Sequence, residues 1–263
     1  MMINSLEGKS AIAWIKKSYK LYKVNPMPLT LIGVILPFLP FAFGKVIPIL
    51  GFFVGEYIQL ILGIGFYRIC KSLQSEGAFD LKDLFKDFGD SRICQSLLTL
   101  QLIKYLMLIL GIGFLVVIDI YLGLTSKDLM GILQIINTHT LYLIPDSIWI
   151  ILFMNVSLLL IGLMLGGTAL FFAPPLIAFE QLSIMSAFKQ SLRANFTNMW
   201  PFIIFFLVAI PILLLGILTI GLGFFIIIPV FSIVMFLAYE DLFSQKTETK
   251  GKLKVDSNPS MPL

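Results

Sequence analysis

The sequence predicts an all-α membrane protein, a polytopic bundle of about six transmembrane helices with short cytoplasmic amphipathic helices. Apolar residues make up 58% of the 263 residues and charged residues only 13%, against about 25% charged residues in ordinary soluble domains. The charges are segregated, which leaves apolar stretches of roughly 17–25 residues, the length that a membrane helix needs. These stretches are continuously apolar, whereas the strands of a membrane barrel alternate polar and apolar residues.

The first part of the chain predicts a surface helix followed by two spans. Residues 9–24 combine lysines with apolar residues at helical spacing, which predicts a basic amphipathic helix lying on the membrane surface. The first span is predicted over residues 28–44, where internal prolines favour a kink. A tight turn leads to the second span, over residues 46–67. In the polar segment 68–93 that follows, residues 81–88 have the apolar spacing of a second amphipathic helix.

The rest of the chain predicts four more spans, within residues 96–124, within residues 148–179, at residues 200–218, and from a glycine-rich turn to about residue 239. Pro174 and Pro175 must break or bend the fourth of the six spans. Residues 180–199 predict a third amphipathic surface helix. We expect residues 1–240 to form a single membrane domain and residues 241–263 to form a disordered cytoplasmic tail.

Lysine and arginine are concentrated on one side of the predicted bundle. Sixteen of them lie in the amino-terminal segment, the 68–93 loop, the 180–199 segment and the tail, whereas the opposite side has only Lys45 and Lys127. Cytoplasmic loops carry the excess of positive residues in membrane proteins. This positive-inside bias predicts that both termini are cytoplasmic.

Two segments, residues 11–68 and 184–240, look like copies of one unit because a set of polar residues recurs at the same spacing. The first copy has Lys16, Ser18, Lys20, Asn25 and Pro28, and the second has Lys189, Ser191, Arg193, Asn198 and Pro201. An even number of spans separates the copies, so the internal repeat is predicted to be parallel. Each copy would comprise a surface helix, an Asn–Pro entry and a membrane hairpin.

The repeated polar residues have two interpretations. The headgroup-contacting candidates are Lys16, Lys20, Lys189 and Arg193, each worth about 1 kcal/mol beside an anionic membrane surface. The asparagine of each copy is placed to end the surface helix, and the proline to start the next span at its first position, where a missing N–H costs nothing. The repeat is then either a device that sets topology or a paired site for lipid headgroups.

Three stretches resemble a known group of bacterial proteins. They are the early segment with Trp14, Ser18, Asn25 and Pro26, the stretch AFKQSLRANFTNMWP at residues 187–201, and AYEDLF at residues 238–243. They resemble the YciC-like families and the membrane domain attached to some glycerophosphodiester phosphodiesterases. The resemblance covers most of residues 9–243. It implies about six helices in a bacterial inner membrane, with no established activity and no catalytic residues, and we expect no room here for a phosphodiesterase domain.

Glu56 is the most conspicuous polar residue of the predicted spans. It lies near the middle of the second span, where a carboxylate costs roughly 2.5–3.5 kcal/mol or more. In one interpretation the carboxyl is protonated and bonded to Gln59 or to a neighbouring helix, or the span is shifted so that Glu56 nears the outer surface. In the other interpretation Glu56 takes part in the movement of protons or cations.

The remaining polar residues predict no catalytic or metal site. Lys104 and Asp119 lie fifteen residues apart on the third span, roughly 22 Å along a helix, and cannot pair. We expect Lys104 to extend to the cytoplasmic face and Asp119 to lie near the outer interface. The single histidine, His139, has no cluster of further ligands. No hydrolase, phosphate-loop or metalloprotease motif accompanies it, so we predict no enzyme and no cofactor.

Two main hypotheses of function remain. The first is a non-enzymatic role in envelope organisation or as a partner subunit, which the missing catalytic motifs favour. The alternative is a small transporter or lipid-handling protein that uses Glu56, which the repeat and the midplane carboxylate favour. A membrane-embedded enzyme would need a polar cluster that the predicted spans do not show. The expected partners are the lipid bilayer and its anionic headgroups, not nucleic acid, because the basic residues lie beside the spans.

Overall fold

The structure is a computed structural model that describes residues 3–121 and 146–243. All elements in these ranges are helices: α1 Lys9–Tyr22, α2 Pro26–Val46, α3 Pro48–Glu76, a 3₁₀ helix Leu81–Gly89, α4 Ser91–Tyr121, α5 Asp146–Phe171, α6 Ala173–Phe179, α7 Ile184–Thr197, α8 Met199–Leu218 and α9 Phe224–Phe243. Lys127, His139 and the tail from residue 244 onward lie outside the described residues.

Five of the described helices are long and apolar enough to cross a membrane, namely α2, α3, α4, α8 and α9. The remaining predicted span falls on α5, which contains the shorter apolar stretch Trp149–Leu159. The predicted all-α class is confirmed, and the chain is a multi-pass membrane protein.

The chain divides into two compact units. Unit 1 contains the described residues of Met1–Phe38, Phe66–Leu81 and Phe196–Leu263. Unit 2 contains those of Leu39–Gly65 and Lys82–Asn195. The single membrane domain expected over residues 1–240 stays a prediction.

The first two spans are longer than the sequence suggested. α2 is one continuous helix that begins at Pro26, whose missing N–H is harmless at a first helical position. Only Ile47 separates α2 from α3, which confirms the tight turn. α3 then continues to Glu76, so nine residues expected in the polar loop extend the helix instead.

The helix break at Pro174-Pro175 is confirmed. α5 ends at Phe171, and α6 starts a new short helix at Ala173 with the prolines in its first turn, where proline is tolerated. The break frees the backbone N–H of Phe172, which donates to Ser191 Oγ at 3.0 Å. The buried hydroxyl of Ser191 thus accepts from a backbone N–H at the helix break, as buried backbone donors require.

The position of the surface helices on the membrane stays a prediction. In α1 the apolar side chains of Ile12 and Tyr19 are exposed. The buried residues of α1 are Ala11, Trp14, Ser18 and Tyr22, and those of α7 are Ala187, Ser191 and Ala194. Alanine and serine let a short helix approach its neighbours closely, and α1 adds the large buried side chains of Trp14 and Tyr22.

The last helix also differs from its prediction. The tail was expected from residue 241, but α9 continues to Phe243, and the side chains of Leu242 and Phe243 are buried. The turn before α9 has positive φ angles at Ile220 and Gly221, and Gly221 adopts this conformation without a Cβ clash. The glycine-rich turn is therefore where the sequence placed it.

Candidate functional site

Glu56 of α3 is bound by three side chains of α4, all in unit 2. Lys104 Nζ lies 2.6 Å from Glu56 Oε2, and Gln101 Nε2 donates to the same oxygen at 2.6 Å. The hydroxyl of Tyr105 is the third donor. We call these four residues the Glu56 cluster, and it joins two membrane helices.

The position of the cluster follows from the register of the two helices. Glu56 lies eight residues after Pro48 and twelve before Arg68, the next charged residue on α3. These separations correspond to about 12 Å and about 18 Å along the helix, within a hydrocarbon core of about 30 Å. Glu56 is therefore near the middle of the stretch of α3 that carries no other charge. Its partners on α4 are spaced i, i+3 and i+4, so they share one helix face.

Aromatic rings hold the donors of the cluster in place. The rings of Phe53 and Tyr105 have centroids 3.8 Å apart, and the ammonium of Lys104 lies 4.6 Å from the centroid of the Tyr105 ring. One residue beyond Glu56, the Tyr57 hydroxyl donates to the backbone carbonyl of Cys94 at 3.0 Å. These contacts continue into a hydrophobic core formed by Ile61, Ile64, Ile93, Leu97 and Ala178.

The Glu56 cluster contains one negative and one positive group. The carboxylate of Glu56 and the ammonium of Lys104 form an ion pair, and Gln101 and Tyr105 add two neutral donors. The side chains of Lys104 and Glu56 are 35% and 24% exposed, whereas Gln101 is buried. Because a lone charge is costly at this depth, the pair stabilises the contact between α3 and α4.

The structure shows which groups bind Glu56, while a part in the movement of protons or cations stays a prediction. Glu56 bonds to a neighbouring helix, and Gln59, half-buried on the same helix, is not among its donors. The expectation that Lys104 extends to the cytoplasmic face is wrong, because its ammonium binds Glu56 instead. Sequence reasoning missed Gln101 and Tyr105, although three polar residues on one face of an apolar helix were a visible signal.

Asp119 makes a second polar contact between membrane helices of unit 2. Asn155 Nδ2 of α5 donates to Asp119 Oδ1 at 2.6 Å. The two acidic residues of α3 and α4 discussed so far are thus each bound by a side chain of another helix. The placement of Asp119 near the outer interface stays a prediction.

A further polar cluster, within unit 1, binds the amino-terminal segment to the helices around it. The backbone N–H of Leu6 donates to Asn198 Oδ1 at 2.8 Å, and Asn198 Nδ2 donates to the carbonyl of Asn4 at 3.0 Å. Asn4 Nδ2 in turn donates to the carbonyl of Asp241 at 2.8 Å. Trp14 Nε1 donates to the Asp241 carboxylate at 2.7 Å. We call these five residues the N-terminal clamp.

Asn198 lies directly after Thr197, the last residue of α7, so it stands where the surface helix ends. Asn198 occupies the N-cap position of α8 but makes no side-chain capping bond, because its amide binds the amino-terminal segment. The side chain of Asn198 is fully buried, and that of Asn25, its counterpart in the repeat, is half-buried.

The other repeat-defining residues fall at equivalent places in the two copies. Pro28 and Pro201 lie at the third position of α2 and α8, not at the first as predicted. The first four N–H groups of a helix have no partner within it, so neither proline removes a hydrogen bond. Ser18 donates to the carbonyl of Ile15 at 2.9 Å, whereas Ser191 accepts from Phe172. The repeat itself stays a prediction.

The candidates for headgroup contact are all exposed on their helices: Lys16, Lys20, Lys189 and Arg193. Ile12 and Met185, four residues before Lys16 and Lys189, are exposed as well. An apolar residue followed at i+4 and i+8 by basic residues forms one stripe along a helix. Each surface helix therefore presents a mixed apolar and basic stripe to its surroundings.

In the part of the chain that the structure describes, no three His, Cys, Asp or Glu side chains come together as metal ligands. Comparison of the chain with family models, curated proteins and solved structures returns no match. The apolar helices fit contact with a lipid bilayer. The fold thus establishes a multi-pass α-helical membrane protein whose span-two carboxylate is bound between two helices.

Proposed function

We propose that the protein is a non-enzymatic multi-pass protein of a bacterial inner membrane that organises the envelope or serves as a partner subunit. The observation that carries the proposal is the Glu56 cluster. Its carboxylate accepts from Gln101, Lys104 and Tyr105 through one oxygen, Oε2. A carboxylate of α3 that is bound by three donors of α4 holds the two helices together.

The energetics of the membrane interior support this role. A carboxylate at the centre of a span costs roughly 2.5–3.5 kcal/mol, and a cation within hydrogen-bond distance offsets this cost. If Glu56 had to bind and release an ion during each cycle, α3 and α4 would lose their ion pair each time. The contact is instead suited to holding two helices permanently together.

The exposure of α4 supports a role in binding other membrane components. In the most apolar window of α4 none of the residues is buried, whereas half of the corresponding window of α9 is buried. Lipid tails or the helices of another protein can cover such a surface. A partner subunit that covers α4 would therefore account for the high mean hydropathy of this exposed helix.

The cellular placement is part of the proposal. The sixteen basic residues on one predicted side support cytoplasmic termini. The resemblance to YciC-like proteins supports the inner membrane. Reporter fusions at residues 45, 127 and 250 test the orientation, and an outward-facing residue 250 would refute it.

The function is tested by crosslinking in native membranes followed by affinity purification. We expect a defined membrane protein to be recovered with the wild type, and its recovery to fall when apolar residues exposed on α4 are replaced by tryptophan. Replacement of Val24, exposed on the link between α1 and α2, is the matched control. Turnover of a substrate by the purified protein would contradict the proposal.

A small transporter or lipid-handling protein is the second candidate. The partial exposure of Glu56 and Lys104 favours it, because the ion pair is not sealed inside unit 2. In that case Glu56→Gln would abolish uptake or lipid binding in vesicles while the protein remained folded. Gln59→Leu, on the same helix, is the control. Unchanged uptake and lipid binding in Glu56→Gln would remove this candidate.

A further inference from the structure

The 3₁₀ helix Leu81–Gly89 has two unlike faces. Residues three apart lie on one side of a 3₁₀ helix. Leu84 and Asp87 share one side and are buried. Phe85 and Phe88 share another side, where they are 58% and 42% exposed. Two large aromatic side chains thus lie side by side on an outward face, with ring centroids 6.4 Å apart.

The inner side of the 3₁₀ helix is fixed against α3 in unit 2. A Cβ built on Gly65 would come within 2.7 Å of Leu84 Cα, so only a glycine permits this approach of the two backbones. The thiol of Cys94 also contacts the carbonyls of Asp87 and Phe88, at 3.4 and 3.7 Å. The outward direction of the two phenylalanines is therefore set by the packing of the segment.

The contact with Gly65 also sets the depth of the 3₁₀ helix. Gly65 lies near the end of an apolar run of α3, and the first charged residue after it is Arg68. Three residues of helix correspond to about 4.5 Å. α3 continues to Glu76, which is about 16 Å beyond Gly65. The 3₁₀ helix thus returns toward the membrane and lies at the level where the apolar part of the span gives way to charge.

We propose that this segment is an interfacial anchor, in which Phe85 and Phe88 insert at the boundary between acyl chains and headgroups and Lys86 meets anionic headgroups. Aromatic side chains concentrate at this level of the bilayer. Lys86 is exposed on the same segment, and a basic residue there attracts anionic lipid. The occupant of the phenylalanine face is the bilayer that surrounds the protein.

The test places the photo-reactive residue p-benzoylphenylalanine at position 85 or 88 of the full-length protein. The protein is reconstituted in nanodiscs made of equal parts phosphatidylcholine and phosphatidylglycerol, irradiated, and its intact mass measured. The replacement keeps an aromatic ring at an exposed position, so folding is preserved. Position 75, exposed on α3 and about 15 Å beyond Gly65, is the matched control.

We expect the mass of a phospholipid to be added at positions 85 and 88 and not at position 75. Crosslinks to protein at 85 and 88 would overturn the proposal, because they would make this face a protein-docking surface. Absence of any adduct would overturn it too, since it would place the rings in water. Lipid adducts at all three positions would remove the claim that the 3₁₀ helix alone returns to the interface.

The lysine is tested in the same assay. With the photo-reactive residue at position 88, Lys86→Gln should lower the ratio of phosphatidylglycerol to phosphatidylcholine adducts by up to about fivefold, which corresponds to the ~1 kcal/mol of one lysine near an anionic surface. An unchanged ratio would leave the aromatic insertion standing and refute the role of Lys86. Size-exclusion profiles of the position-88 photo-reactive protein, with and without Lys86→Gln, show separately from the crosslinking whether each protein is folded.

Discussion

The Glu56 cluster and the N-terminal clamp show two ways in which one chain satisfies polar groups. The cluster joins two spans with an ion pair and two neutral donors, and its charged side chains are partly exposed. The clamp joins an extended segment to the ends of two helices through amide and backbone groups, and Asn198 in it is fully buried. The Glu56 cluster compensates a charge within a span. The N-terminal clamp supplies hydrogen-bond partners to backbone groups.

The difference follows from the surroundings of each site. Within a span a single carboxylate cannot be hydrated, so the protein supplies a cation. At a helix end, the last carbonyl groups have no partner within the helix. Asn4 fills this need for α9, since its backbone and side-chain N–H groups donate to the carbonyls of Leu242 and Asp241, at 3.1 and 2.8 Å. The Glu56 cluster thus needs an opposite charge, whereas the N-terminal clamp needs hydrogen-bond donors placed at the end of α9.

The largest effect is expected from Lys104→Met. The change leaves the Glu56 carboxylate with only neutral donors inside the span, and we expect the unfolding free energy to fall by about 3 kcal/mol. Reversible unfolding in bicelles measures the loss. Lys23→Met, which removes an exposed lysine near a tyrosine, is the control and should change stability by less than about 1 kcal/mol.

A smaller effect is expected at the clamp, from Asn198→Ala. The substitution removes the bond from the Leu6 N–H and the bond to the Asn4 carbonyl, which costs about 1–3 kcal/mol. The equivalent change in the other copy, Asn25→Ala, should cost well under half of this because its side chain is only half-buried. Proteolysis of residues 3–8 provides the readout. Equal cleavage of the two variants would show that Asn198 does not hold the segment.

The smallest effect concerns the serines of the two copies. Ser191→Ala removes the acceptor of the freed Phe172 N–H, and we expect a loss of about 1 kcal/mol. Ser18→Ala removes only a bond within its own helix and should be nearly neutral. Thermal unfolding in detergent compares them. Equal losses of stability in Ser191→Ala and Ser18→Ala would mean that the two serines stabilise their copies to the same extent.

The spans were largely predictable from the sequence because hydropathy alone determines them. The predicted fifth span, residues 200–218, differs from α8 by one residue, and the proline pair correctly marked the break after α5. The faces of the surface helices were not predictable from apolar spacing. α1 buries Trp14 and Ser18 because they fit against neighbouring helices, and a single sequence does not show those neighbours.

The candidate site was predictable only in part. Glu56 was recognisable because a carboxylate is rare in a span. Its pairing with Lys104 depends on the register between α3 and α4, which a loop containing a 3₁₀ helix sets and which helical spacing within one span does not reveal. The same holds for Trp14 and Asp241, whose contact joins residues 227 positions apart.

The most direct test of the fastener role is a double-mutant cycle of Glu56→Gln and Lys104→Met, measured as unfolding free energy in bicelles. We predict that each single change destabilises the protein, and that the double variant loses about 2 kcal/mol less than the sum of the two single losses, as for a pair of charges held together away from water. A coupling near zero would contradict the account. It would mean that Lys104 does not hold Glu56, and that the carboxylate is kept in the span for another purpose.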